Sequence, residues 1–308
     1  MSANELRRQR RDSRRIKSGM VENRSVMSIV ADIIIGILLF CIAFCSIIPL
    51  WHCLMASISE GEILYKTEGL VVWPVGTPTL DGYALSLRDN SILSGYMNTL
   101  LYVAGNVALG CVLNVLAGYV ISRRTKMRSW LTLFIVFTML FSGGTVPLYM
   151  VVRSLGMVGT RWALVLPHCT NAAFMVMTVK AFDSVPAETV EAARLDGAGH
   201  LAVMFRVMVP QCFSFVLVTM VNTAIIAWNA WFSASIYVPT DKARWPLQLW
   251  IRELVSQNQD FANWTNPDYS RYLIQYSVII LATLPIIMMF PLFIRRLEKG
   301  MAQGAVKG

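Results

Sequence analysis

Hydrocarbon offers no partner for a backbone N–H or C=O. An apolar run of about 17–25 residues therefore has little choice but to span a bilayer as a helix. This sequence contains six such runs. Those over Asn90–Ser122, Ser129–Val152, Trp162–Val179, Val207–Thr240 and Tyr272–Ile294 hold no Asp, Glu, Lys or Arg, and the first is free of charge from Ile33 to beyond residue 51. Hydrophobic residues make up 56% of the chain and its mean hydropathy is +0.54, which argues against a soluble domain. The reading is an all-α polytopic membrane protein with six transmembrane helices near 29–51, 95–121, 130–152, 162–182, 207–232 and 272–294.

Basic residues set the orientation. The tail before the first span carries Arg7, Arg8, Arg10, Arg11, Arg14, Arg15, Lys17 and Arg24, and the loop after the second packs Arg123, Arg124, Lys126 and Arg128 together. The C-terminal tail adds Arg295, Arg296, Lys299 and Lys307, whereas residues 52–94 hold only Lys66 and Arg88 against five acids. The positive-inside rule puts both termini and the basic loop in the cytoplasm. Beside a membrane span, the formal charge of +9 reads as topology and anionic-lipid contact, and no nucleic-acid partner is expected. The chain then divides into a basic N-terminal tail (1–28), a six-span domain (29–294) and a C-terminal tail (295–308). Long outer segments lie at 52–94 and 233–271. The apolar start near residue 29 is too long for a signal-peptide core.

The most informative polar stretch, 184–209, lies between the fourth and fifth spans, on the cytoplasmic side. Pro186 suits a helix start, Glu188 and Glu191 sit at the positive end of the helix dipole, and Gly197 is a natural stop. A second helix restarts from Ala198 and runs towards Pro210. Two rods of about ten residues are marginal alone in water, so this helix–Gly–helix elbow must dock on something. Ala192 and Ala193 offer a flat face, and Glu191 and Asp196 offer charge.

Other signals are weaker. Asn106, Gly110, Asn114 and Gly118 recur every four residues along the second span, a stripe that suits close helix packing first and a polar pathway second. Prolines 147, 167, 285 and 291 mark bends of the kind transporters use. Trp228-Asn229-Ala-Trp231 reads as an interfacial anchor, with stacking on sugar faces as the other option. Residues 52–94 read as irregular structure with turns. Trp245–Leu254 reads as a short amphipathic helix, lying on the membrane surface or meeting an external partner. The six cysteines show no metal-type pairing and read as apolar filler. No metal site or catalytic motif is present, the three histidines are far apart, and no lysine follows a glycine, so no phosphate-binding loop exists.

Glu191-Ala192-Ala193, three residues, Gly197, nine residues, Val207-x-Val209 and then Pro210 resembles the cytoplasmic signature of binding-protein-dependent ABC importer permeases. Val207 and Val209 stand where isoleucine and leucine are usual. Asn98-Thr99-Leu100, Ala117-Gly118-Tyr119, Trp228-Asn229, Pro246-Leu247-Gln248 and the terminus Gly304-Ala305-Val306-Lys307-Gly308 are similar to sugar-importer permeases, the smaller permease of the maltose importer among them. The resemblance implies a non-catalytic subunit in a bacterial plasma membrane, importing a carbohydrate, with an oligosaccharide expected. It implies four kinds of partner: a second homologous permease, two ATPase subunits that carry the ATP and magnesium, an extracellular substrate-binding protein, and the lipid. Glu188, Glu191, Ala192, Ala193, Asp196, Gly197 and Pro210 would couple to the ATPase, and Gly304–Gly308 would reach its interface. Asn106, Asn114, Trp228 and Asn229 would line the pathway. A non-sugar solute such as a polyol phosphate or peptide is the alternative, and a secondary carrier a more distant one.

Overall fold

The computed structural model describes residues 26–123, 125–259 and 269–305. Among these the secondary structure is helical with no strand. Two compact units are present, divided after His52.

The first unit is most of one helix, α1 (Val26–Ser57), whose apolar side chains are exposed along nearly its whole length. Ile33, Leu39, Phe40 and Phe44 have no aqueous reason to point outward, but lipid solvates them well.

The second unit contains the remaining elements. Two short helices, α2 (Gly61–Lys66) and α3 (Asp81–Arg88), precede the long α4 (Asn90–Ser122). Asp89 caps α4, its carboxylate accepting from the Ser91 N–H at 2.8 Å. Then come α5 (Arg128–Leu140), α6 (Thr145–Ser154), α7 (Trp162–Val165) and α8 (Ala172–Asp183). The polar stretch folds as α9 (Ala187–Leu195), α10 (His200–Ala202), a π-helical turn (Val203–Met208) and α11 (Val209–Gln211). Helices α12 (Phe213–Trp228), α13 (Trp231–Tyr237), α14 (Leu247–Gln259) and α15 (Tyr269–Ala305) complete the unit. Helix α4 is the post that the others pack on, touching α8, α12 and α14 most heavily.

Three helical stretches, Met27–Ser57, Asn90–Ser122 and Tyr272–Met289, are each long and apolar enough to cross a membrane. The expected third and fifth spans are bent pairs. Helices α5 and α6 meet at 114°, and the segment His200–Gln211 meets α12 at 85°. The third, expected over 130–152 with a bend at Pro147, turns more sharply than a proline kink and breaks ahead of that proline. Gly144 takes a positive φ of 83° between its halves, a conformation open to glycine at little cost, and Pro147 follows in the next turn. The fourth expected span, 162–182, is also interrupted. Pro167 cannot extend α7, and Asn171 caps a fresh start at α8, its side chain accepting from Ala173 N–H at 2.8 Å. At ~1.5 Å per residue, the 12 residues of α8 fall well short of a ~30 Å hydrocarbon core.

Segment 52–94 also departs from expectation, being largely helical with a small core of Met55, Ala56, Leu64, Val71 and Leu273. The Asp81-Gly82 pair, which reads as a turn, lies inside α3. A methyl on Gly82 would collide with Ser277 Oγ on α15, so the glycine permits close helix contact and makes no bend.

Proline explains one long-range bond. Pro285 within α15 has no N–H to give to the carbonyl of Leu281. The hydroxyl of Tyr96 on α4, 185 residues earlier, donates to that carbonyl. Trp228 Nε1 donates to the neighbouring Ala282 carbonyl at 3.2 Å, so the proline-weakened turn is sealed from two other helices.

Candidate functional site

The elbow owes its shape to Gly197, whose φ of +82° ends α9. Its N–H donates to Arg194 O at 3.0 Å and the Ala198 N–H donates to Ala193 O at 2.9 Å, the paired bonds of a Schellman stop. Helix α9 begins at Ala187, one residue after Pro186, which serves as the cap position. The second rod runs from His200 and loosens into the π turn just before Pro210, where the missing N–H interrupts the α ladder.

Short as they are, both rods rest on the chain itself. Val190, Val203, Met204 and Met208 are buried with Val115 and Tyr119 of α4, Phe182 of α8 and Cys212, and Ala193 and Ala198 pack against this cluster. The polar and apolar groups on the other side face outward. Glu188, Glu191, Ala192 and Asp196 are exposed, and so are Leu195 at 89%, Leu201 at 66% and Phe205 at 55%. Carboxylates beside protruding apolar side chains, on a buried footing, form a surface suited to docking. Pro210 is exposed at the end of the second rod.

The second limb is tied to the basic end of α4, and the helix that leads into the first limb is tied to the start of α5. Arg128 Nη2 lies 2.6 Å from Asp183 Oδ2, three residues before the first rod's Pro186 cap. Tyr119 Oη lies 2.9 Å from His200 Nδ1, and Arg123 Nη2 donates to that hydroxyl at 2.6 Å. Arg124 lies outside the described residues.

A family model for the inner membrane component of binding-protein-dependent transport systems matches residues 110–303, which take in the elbow and the helices on both sides of it. The chain belongs to this family.

Relatives of this permease extend over nearly its whole length. It is 29% identical over 284 residues to the polygalacturonan/rhamnogalacturonan transport system permease protein YtcP of Bacillus subtilis, covering 90% of this chain and 97% of that one. It is 30% identical over 272 residues to Protein LplC of the same organism, covering 85% and 90%. Among solved structures it resembles a bacterial ABC transporter that imports the acidic polysaccharide alginate. There the TM-score is 0.79 and the identity 25%, with 88% of this chain and 98% of that one covered. The permease is thus a multi-pass membrane protein with the ABC importer permease fold.

The stripe on α4 is a packing face in this permease. Asn106 and Asn114 are 2% and 1% exposed, and Asn106 Nδ2 donates to the carbonyls of Tyr102 and Leu164. Gly110 and Gly118 lie hard against Cys169 and Thr178. Trp228 is buried, with Tyr96 edge-on at 6.1 Å, while Asn229 is exposed and donates to Ile225 O. Of the expected pathway group, only Asn229 faces outward.

The expected amphipathic helix is α14, and its apolar face is already occupied. Leu247 and Leu249 are buried, and Thr99 Oγ1 accepts from the Leu247 N–H at 2.9 Å. Asn98 Nδ2 donates to Ala243 O and Trp245 O, and Tyr102 donates to Arg244 O, clamping this segment to the start of α4. Lys242 lies over Trp245 and Trp250, and Arg252 lies 4.1 Å from the Trp231 ring. Of the C-terminal group, Gly304 and Ala305 close α15, and Val306, Lys307 and Gly308 lie outside the described residues. Among the described residues no group of three or more His, Cys, Asp or Glu could hold a metal.

The sequence gives Tyr119, His200 and Arg128 no special role. Tyr119, at the end of an apolar run and four residues before Arg123, is marked in the sequence only as part of Ala117-Gly118-Tyr119, and nothing local points to His200 or Arg128.

Proposed function

We propose that this permease imports a carbohydrate, with an oligosaccharide the expected cargo, as one half of a translocation pathway driven by ATP hydrolysed elsewhere. Support for the cargo comes from the relatives, whose names specify polygalacturonan/rhamnogalacturonan and, in the solved structure, alginate. The other half of the pathway is a second homologous permease. Two ATPase subunits bind ATP and magnesium, and an extracellular protein delivers the solute. Both termini, the basic loop and the elbow face the cytoplasm, in keeping with the distribution of Arg and Lys.

The observation that carries this reading is the elbow surface. It is anchored underneath by Val190, Val203 and Met204, and it presents Glu188, Glu191, Leu195, Leu201 and Phe205 to a partner. Glu191 and Asp196 meet basic groups on the ATPase, while Ala192, having no bulk, lets the two surfaces close. Nucleotide that binds one state of the ATPase pair better than the other shifts the permeases between inward- and outward-facing forms. The C-terminal residues Gly304–Gly308 add a second contact with the ATPase.

The test is reconstitution of the whole importer in vesicles with Glu191→Lys or Gly197→Pro. Proline cannot adopt the +82° φ of Gly197, so the second variant disrupts the elbow's turn without touching a span. Both variants insert normally and lose solute uptake. Normal coupling of hydrolysis to uptake in both would refute the docking role. The ligand spectrum of the accompanying binding protein tests the cargo, and selective binding of a peptide or polyol phosphate would replace the carbohydrate reading.

A further inference from the structure

A docked elbow does work only if its displacement reaches the spans. The buried cluster beneath it holds the two together by apolar contact, which is non-directional and lets surfaces slide. A directional tie is also present. Tyr119 is only 7% exposed, packed in that same cluster, and its hydroxyl lies beside the second rod. Arg123 has donors only, so at 2.6 Å the hydroxyl accepts from Nη2 and passes its own proton towards His200 Nδ1 at 2.9 Å. With Nδ1 as the acceptor, the ring carries its proton on Nε2. Arg123 also lies over the tyrosine ring, 4.6 Å from its centroid. On the entry side, the 2.6 Å pair between Arg128 and Asp183 holds the end of α8 to the start of α5.

We propose that Tyr119, Arg123 and His200 form a positioning latch that makes the second rod of the elbow and the inner end of α4 move as one body, transmitting the motion of the ATPase into the spans. The inference rests on the reading of the elbow as the ATPase docking element. Residues 81 positions apart in sequence are joined through one hydroxyl, and the charge-assisted bond that this hydroxyl accepts from Arg123 polarises the bond between it and His200. The basic loop, whose composition is explained by topology alone, thereby gains a mechanical role.

The test follows amide exchange by mass spectrometry in the complete importer in lipid vesicles, with and without magnesium–ATP. In the wild type, nucleotide changes exchange both in the elbow, 187–206, and at the end of α4, 115–123. Tyr119→Phe keeps the buried ring and removes only the hydroxyl, and His200→Leu removes the acceptor. Both accelerate exchange over 198–206 about fivefold and abolish the nucleotide response of 115–123. His200→Asn places an amide oxygen where Nδ1 stood and restores both readouts, which a role in bulk packing alone would not do. The latch is overturned if Tyr119→Phe keeps the response at 115–123, or if His200→Asn fails as His200→Leu does. A wild-type elbow that responds while 115–123 stays silent removes the latch and leaves docking intact. An elbow that does not respond at all removes both.

Discussion

The contact between α4 and the fourth apolar segment can be tested by adding single carbon atoms. Three glycines of α4 face this segment at different clearances. A methyl on Gly105 would meet the Val165 methyls at 3.3 Å, and one on Gly118 would meet Thr178 Cγ2 at 2.7 Å. One on Gly110 would overlap the carbonyl oxygen of Cys169 and come within 3.1 Å of its carbon. In Gly105→Ala the valine yields by a few tenths of an ångström, so the gain of up to ~1 kcal/mol in helix propensity leaves the variant neutral or slightly more stable. In Gly118→Ala a side chain can rotate away, but Thr178 then gives up its 2.9 Å bond to Phe174 O, a loss of about 1 kcal/mol that the propensity gain largely offsets. In Gly110→Ala the obstacle is backbone, so the turn before α8 must shift bodily. Overpacking of this kind costs about 3 kcal/mol, which leaves a net loss near 2 kcal/mol after the propensity gain. That corresponds to a fall in Tm of roughly 4–8 °C. Thermal unfolding of the assembled importer in detergent reads the series directly. If Gly110→Ala melts with Gly105→Ala, the close approach of α4 to residue 169 is not a structural requirement and the reasoning fails.

Two further variants probe single bonds. Tyr96→Phe leaves the Leu281 carbonyl unpaired next to Pro285 and should cost about 1–3 kcal/mol. In a Pro285→Ala background, a restored helical N–H reaches the same carbonyl and most of that loss disappears, so a double-mutant cycle with no coupling would refute the pairing. Glu60 accepts from both the N–H and the hydroxyl of Thr77, bonds that hold its carboxyl below the usual range. A depressed pKa stabilises the fold above the unfolded value, near 4.3, and that contribution is lost as pH falls through the lower folded value. Limited proteolysis across 58–79 should therefore rise at acid pH in the wild type, while Glu60→Gln is cut faster already at neutral pH. Equal cutting of both at neutral pH would show that the Glu60–Thr77 bonds do not hold this segment.

Much of the elbow could be read from composition and spacing. Gly197 as a stop, Glu188 and Glu191 near a helix start and a second rod ending at Pro210 follow from local rules, because a Schellman turn and a proline break depend on a few adjacent residues. The direction each side chain takes could not be read this way. Ala192 and Ala193 are neighbours of the same type, yet one is exposed and the other packs against the core, a choice made by α4 and α8. Trp228 shows the same limit: its sequence leaves its contacts open, and the fold places it against Tyr96 and the Ala282 carbonyl.

By itself the sequence determined an all-helical membrane protein, because an uncharged apolar run in lipid must satisfy its backbone internally. It also determined the membership carried by the Glu-Ala-Ala…Gly stretch. Only the tertiary structure decided which of the proline-marked runs break: Gly144 and Asn171 divide theirs through local dihedrals and caps that hydropathy does not register, while α15 continues through Pro285 and Pro291. Only the tertiary structure, too, brought Tyr119 to His200 and Tyr96 to the carbonyl that Pro285 releases. Those contacts join residues scores of positions apart, and a one-dimensional pattern carries no information about which distant hydroxyl will meet a given unpaired group.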